Sequence, residues 1–234
     1  MCEFEIIDEN NSEVITTIVP AFETSLFNPV FDTSMDYIEL GIDSLLKDGV
    51  LKDIPIVGSL IGAGKFVYNI ADRNFLKQTI NFINEFNRQT IAPDKLESYR
   101  QKLHSNPKKL EAELGRVLIT INRNVDTLKS IIESRFYSAY IDSQIDWNDF
   151  CELCDITERL FMSDIAALQT AYANHGVTTT MEISYKHDRL ISIGLLTNDA
   201  RLNGSVNIID LDSNEPTYLM TLTSIGLKYC QLAF

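Results

Sequence analysis

Apolar residues follow no sustained rhythm in residues 1–33, where acids, Asn, Thr and two prolines (Pro20, Pro29) surround isolated clusters such as VITTIVP and SLFNPVF. This predicts an acidic leader that is poorly ordered, or a short strand that docks late. From Met35 the spacing turns helical: Tyr37, Ile38, Ile42, Leu45 and Leu46 share a face, and Asp48-Gly49 ends a helix over about 34–47. An apolar run at 54–70 carries Gly58, Gly62 and Gly64, and RNFLKQTINFINEF then reads as an amphipathic helix ending near Arg88. PDKLESYRQKL and PKKLEAELGRVLITINRNVDTLKSIIESRFYSAYI read as further helices, with Pro93 and Pro107 in first turns and near-heptad spacing from Leu110 to Ile132. One more helix covers about 146–162, so residues 34–162 are predicted to be a helical bundle. Beyond Ser163 the pattern mixes: SDIAALQTAYANHG closed by Gly176 and EISYKHDRLISIGLL read as helices, SVNIIDLD and PTYLMTLT as strands, and SIGLKYCQLAF as a final helix. That order predicts a winged-helix-like α+β domain over 163–234. The expected fold class is mainly α.

The run "DIPIVGSLIGAGKF" admits three readings. A phosphate loop needs G-x-x-x-x-G-K-[ST], because backbone N–H groups wrap the phosphates, Lys neutralises them and the hydroxyl holds magnesium. Here Gly64-Lys65 fit, but Ser59 stands at the first glycine position and Phe66 at the hydroxyl position. Nucleotide hydrolysis is therefore not expected. A membrane reading finds one charge, Lys65, in 54–70 and a Gly58-x-x-x-Gly62 pair that lets helix backbones come close. The run is shorter than the roughly 20 residues a spanning helix needs. The preferred reading is a helix packed through its glycines in the bundle core. Ile54, Ile56, Val57, Gly58, Leu60, Ile61, Gly62, Gly64, Lys65 and Phe66 are then the residues that would meet a partner protein, or lipid after a trigger.

Other chemistry is thin. SAYIDSQIDWNDF echoes half of a calcium loop, but Ser138 and Tyr140 stand where carboxylates belong. The sequence fits a tight turn with Asp146 as N-cap and Asp149 three residues on. Cys151-x-x-Cys154 lacks a second pair, and His104, His175 and His187 show no H-x-x-x-H spacing. Neither a metal, a cofactor nor an enzyme constellation is expected. The first residues, acidic rather than basic and then apolar, do not read as a signal peptide, so free thiols and a cytoplasmic location are expected, with peripheral contact to the inner membrane as a conditional state.

Charge then weighs on partners. The net charge of −13 falls mostly on residues 1–50, which hold eleven acids and one base. Such a balance repels a phosphate backbone. A groove-reading helix in the C-terminal domain would offer Lys186, His187 and Arg189, with Arg201 flanking, against an acidic LDSNEP wing. Protein contact is thus expected ahead of DNA, and the DNA-binding regulator is the alternative. Homo-oligomerisation is left open.

Three stretches, "DSLLKDGVLKDIPIVGSLIGAGKFVYNIADRNFLKQ", "FYSAYIDSQIDWNDF" and "HDRLISIGLL…YLMTLTSIGLKYCQLAF", together resemble a loose group of uncharacterised bacterial and prophage proteins. The final part is similar to the C-terminal part of the abortive-infection alpha family, in which an L-T-x-x-G turn precedes the last helix; here it is Leu222-Thr223-Ser224-Ile225-Gly226. The resemblance implies a role in phage defence or competition between mobile elements, and it transfers no catalytic residue. The sequence-level expectation is a non-enzymatic protein of bacterial conflict, acting by protein contact or conditional membrane association through 54–70.

Overall fold

The helical spacing becomes ten helices and one three-stranded sheet among the residues described by the structure, a computed structural model: 9–28, 54–62, 70–180, 184–198 and 218–234. The predicted helix at 34–47 and the predicted strand SVNIIDLD lie outside the described residues. The chain divides into two compact units, Met1–Cys154 and Asp155–Phe234.

The first unit opens with a correction. Residues Glu9–Phe27, read as part of a leader, form helix α1. Its Ile18, Val19, Phe22 and Leu26 share one face and are buried, and Phe22 sits 6.1 Å from the ring of Phe82. The run was hard to read because Pro20 lies mid-helix, where it removes a backbone donor and costs about 3 kcal/mol. Burying four large apolar side chains outweighs that cost at roughly 1.5–3 kcal/mol each. Helix α2 (Pro55–Gly62) packs on α1 through Ile54, Ile56, Val57 and Leu60, all nearly fully buried. Ser25 of α1 accepts the Ile56 amide at 3.0 Å, so one helix satisfies an orphan first-turn donor of the other.

Helix α3 (Ile70–Arg88) is the centre of this unit, buried on every side from Phe75 to Phe86 except at Lys77. Pro93 and Pro107 begin α4 (Pro93–His104) and α5 (Pro107–Arg123), as their fixed φ predicts. The near-heptad run of apolar residues is interrupted at Asn124, ahead of α6 (Thr127–Ile141). Buried polar groups hold the break: Asn124 donates to Ser130 and to Glu133, while the carbonyls of Asn124 and Val125 accept from Asn74 and Gln78 of α3 at 2.7 and 2.8 Å. A serine stripe on α6, Ser130, Ser134 and Ser138, meets α3: Ser130 donates to Gln78 and Ser134 to the Phe82 carbonyl, both within 2.9 Å. The turn after α6 is the tight one expected. Ser143 takes a left-handed φ of 64°, Gln144 N–H reaches the Ala139 carbonyl, and Asp146 accepts the Asp149 amide at 2.8 Å to start α7 (Trp147–Arg159).

In the second unit α8 (Met162–Ala173) ends with His175 and Gly176 at positive φ. The β-branched run after it forms β1 (Val177–Thr180), a strand the helix-centred reading did not anticipate. EISYKHDRLISIGLL is not one helix: α9 covers only Tyr185–Ser192, Gly194 at φ 89° ends it, and Leu196–Asn198 form β2. PTYLMTLT supplies β3 (Tyr218–Leu222) and the tail supplies α10 (Ser224–Ala233), as predicted. The sheet is antiparallel in the order β1-β3-β2, with Val177 opposite Thr221 and Leu196 opposite Leu222.

The L-T-x-x-G turn has a structural task here. Thr223 accepts the Gly226 amide at 3.0 Å as N-cap of α10 and donates its own hydroxyl proton to the Gly194 carbonyl. A Cβ at position 226 would overlap the Leu195 carbonyl oxygen and stand 3.0 Å from its carbon. Glycine is required there because a neighbouring backbone lies directly against the helix.

Candidate functional site

The residues expected to meet a partner or lipid at 54–70 separate in the structure. Ile54, Ile56, Val57 and Leu60 are 3%, 0%, 0% and 1% exposed, so their surface is already covered inside the first unit. Gly58 itself is exposed. Residues 58–62, which a phosphate loop would need as loop, are helical and include Ile61 and Gly62; Gly64, Lys65 and Phe66 lie outside the described residues. Among the described residues no helix is long and apolar enough to cross a membrane.

The basic residues of the C-terminal unit are also engaged locally. Arg189 on α9 forms a two-pronged ion pair with Asp164 on α8, its Nε 2.8 Å from one carboxylate oxygen and its Nη2 2.5 Å from the other. Asp164 is fully buried and also accepts the Phe161 amide at 2.8 Å, holding the first turn of α8. The guanidinium stacks under Phe161 at 4.4 Å and Tyr185 at 5.6 Å. His187 accepts the Ser184 amide through Nδ1 and so caps its own helix. Lys186 is half-buried, and Arg201 lies outside the described residues. What this arrangement leaves on the surface is aromatic: Phe161 is 61% and Tyr185 70% exposed, with Met162 beside Phe161 in the chain. Sequence reasoning passed over these rings because each looks like a core residue until its neighbours are known.

A cleft of about 460 Å³ opens in the first unit between α4 and the α6–α7 turn. Lys95, Ser98, Tyr99 and Lys102 line it from α4, and Tyr140, Ser143, Gln144, Asp146 and Asp149 from the other side. Behind it lies a hydroxyl chain. Tyr99 and Tyr140 donate to the two oxygens of the buried Glu113 at 2.9 and 3.2 Å, Tyr137 completes the chain 2.8 Å from the Tyr99 oxygen, and Lys109 pairs with Glu113 at 3.3 Å. Burial, aided by the nearby carboxylate, pushes all three phenols well above their ordinary range. They stay protonated: Tyr99 and Tyr140 serve as donors to Glu113, and Tyr137 bonds to the Tyr99 hydroxyl. The signal for the cluster was in the sequence as Tyr137-x-x-Tyr140, two tyrosines that share a helix face, but their partners Tyr99 and Glu113 are distant in the chain.

Among the described residues no group of His, Cys, Asp and Glu could hold a metal ion, and Cys151, Cys154 and Cys230 are not in disulfides. Compared with protein-family models, curated proteins and solved structures, the chain finds no match.

Proposed function

We propose that this chain is a non-enzymatic protein of bacterial conflict that works by contact with another protein through its C-terminal unit, residues 155–234. The observation that supports this most is the surface built around Arg189. A guanidinium whose charge is matched by a buried carboxylate holds two exposed aromatic rings in place. Aromatic, Met and Arg residues are the types enriched where proteins bind one another, and rings that are already ordered lose little entropy on binding. The role in conflict rests on the resemblance to the abortive-infection alpha family. The L-T-x-x-G residues do structural work here, so they speak for a shared turn more than for a shared activity.

A helix followed by strands in an antiparallel sheet of order β1-β3-β2 supports the winged-helix-like reading of this unit, and with it the alternative of DNA binding. The alternative is weaker because Arg189 and His187 are spent inside the unit, which leaves Lys186 as the principal base on α9. Lipid association through 54–70 would require α2 to leave α1 first, exposing side chains that are now buried.

The test is a plaque assay in a bacterial host expressing the chain. Wild type is expected to lower plating efficiency for at least one phage of a broad panel, and the Phe161→Ala, Tyr185→Ala double variant to lose that protection while remaining folded. Equal plaque counts with and without the wild-type chain across the panel would remove the conflict role. A mobility shift of its own upstream DNA at micromolar protein and low salt would favour the regulator instead.

A further inference from the structure

The cleft in the first unit carries a second reading, which goes beyond protein contact and does not rest on it. We propose that it binds a small zwitterion, a free amino acid or short peptide, with the ligand's ammonium against Tyr140, Asp146 and Asp149 and its carboxylate toward Lys95 and Lys102.

The volume of about 460 Å³ falls within the roughly 300–1,000 Å³ of small-molecule sites. Lys95 and Lys102 are seven residues apart on α4, hence on one face, and neither forms an ion pair among the described residues. The opposite side brings Asp146 and Asp149, the two carboxylates that start α7. A ligand with one sign of charge gains from one side and is repelled by the other. A ligand bearing both signs, aligned across the cleft, gains at each end.

The closed end favours an ammonium. Tyr140 spends its hydroxyl proton on Glu113, so what remains to a ligand is an oxygen lone pair and a ring face, both of which attract cations. Gln144 gives one amide N–H to Asp142 and offers its carbonyl oxygen as an acceptor. The wall is rigid: the Tyr140 ring lies 5.2 Å from Trp147, 5.7 Å from Tyr99 and 6.3 Å from Phe150. Ile141 and Ile145 supply apolar surface for a side chain.

Calorimetric titration of the full chain with the dipeptide Ala-Leu, its N-acetyl form and its C-terminal amide separates the two charges. The dipeptide is expected to bind, and each masked form to bind at least about tenfold more weakly. The Lys95→Gln, Lys102→Gln double variant is expected to weaken the dipeptide by about tenfold while leaving the amide unchanged. Both lysines are exposed, so circular dichroism should show an intact fold. Three results would each overturn the assignment: no binding of the dipeptide or of any standard amino acid at about 10 mM, masked forms that bind as tightly as the parent, or a double variant that binds the dipeptide as wild type does.

Discussion

Gly58 and Gly226 show how little one residue type says without its surroundings. Gly226 touches the backbone of Leu195, so Gly226→Ala has no soft neighbour to displace, and a loss of about 3 kcal/mol is expected as a lower denaturation midpoint in urea. Gly58 lies mid-helix and outward, so Gly58→Ala is expected to raise stability by about 0.5–1 kcal/mol through helix propensity alone. A destabilised Gly58→Ala would restore the tight-packing role that the sequence suggested for it.

At the scale of elements, α1 and α2 stand or fall as a pair. Ser25→Ala removes the acceptor of the Ile56 amide in a buried setting and is expected to cost about 1–2 kcal/mol, with faster hydrogen exchange at Ile56 as the local readout. Unchanged exchange there would mean that α2 does not depend on α1. The tyrosines tie α4, α5 and α6 together and set an alkaline limit. Their folded-state values are raised, so their contribution to stability is complete below the ordinary phenol value near 10 and declines as pH rises past it, because the unfolded chain releases those protons first. Tyrosinate absorbance from Tyr99, Tyr137 and Tyr140 should therefore appear together with loss of helical dichroism above about pH 10. Titration of those three with the helices intact would contradict the buried chain to Glu113.

For the whole molecule, the decisive quantities are its −13 charge and the burial of its most apolar stretch. With Ile56, Val57 and Leu60 covered by α1, the full chain at neutral pH is expected to stay in the supernatant when spun with anionic vesicles; co-sedimentation would revive lipid contact through 54–70. Most of the fold was legible in order along the chain. Helices α3, α4, α7, α8 and α10 announce themselves through apolar spacing, first-turn prolines and caps, because these signals act within one or two turns of the residues that carry them, whereas α5 and α6 read as one apolar run whose break at Asn124 is held by tertiary hydrogen bonds. Helix α1, strand β1 and the split of α9 from β2 were not legible, since Pro20 and short β-branched or glycine-bounded runs leave local preference nearly balanced until a partner surface decides it. The candidate sites were the least legible part. Asp164 meets Arg189, Tyr99 meets Tyr137 and Glu113, and Ser25 meets Ile56 across gaps of 14 to 38 residues in the chain. What the sequence alone determined is most of the helical segments and where the acids lie. Which charges are spent, which rings remain outside and where a cleft opens were decided by tertiary packing, because a side chain's availability depends on neighbours that local spacing does not contain.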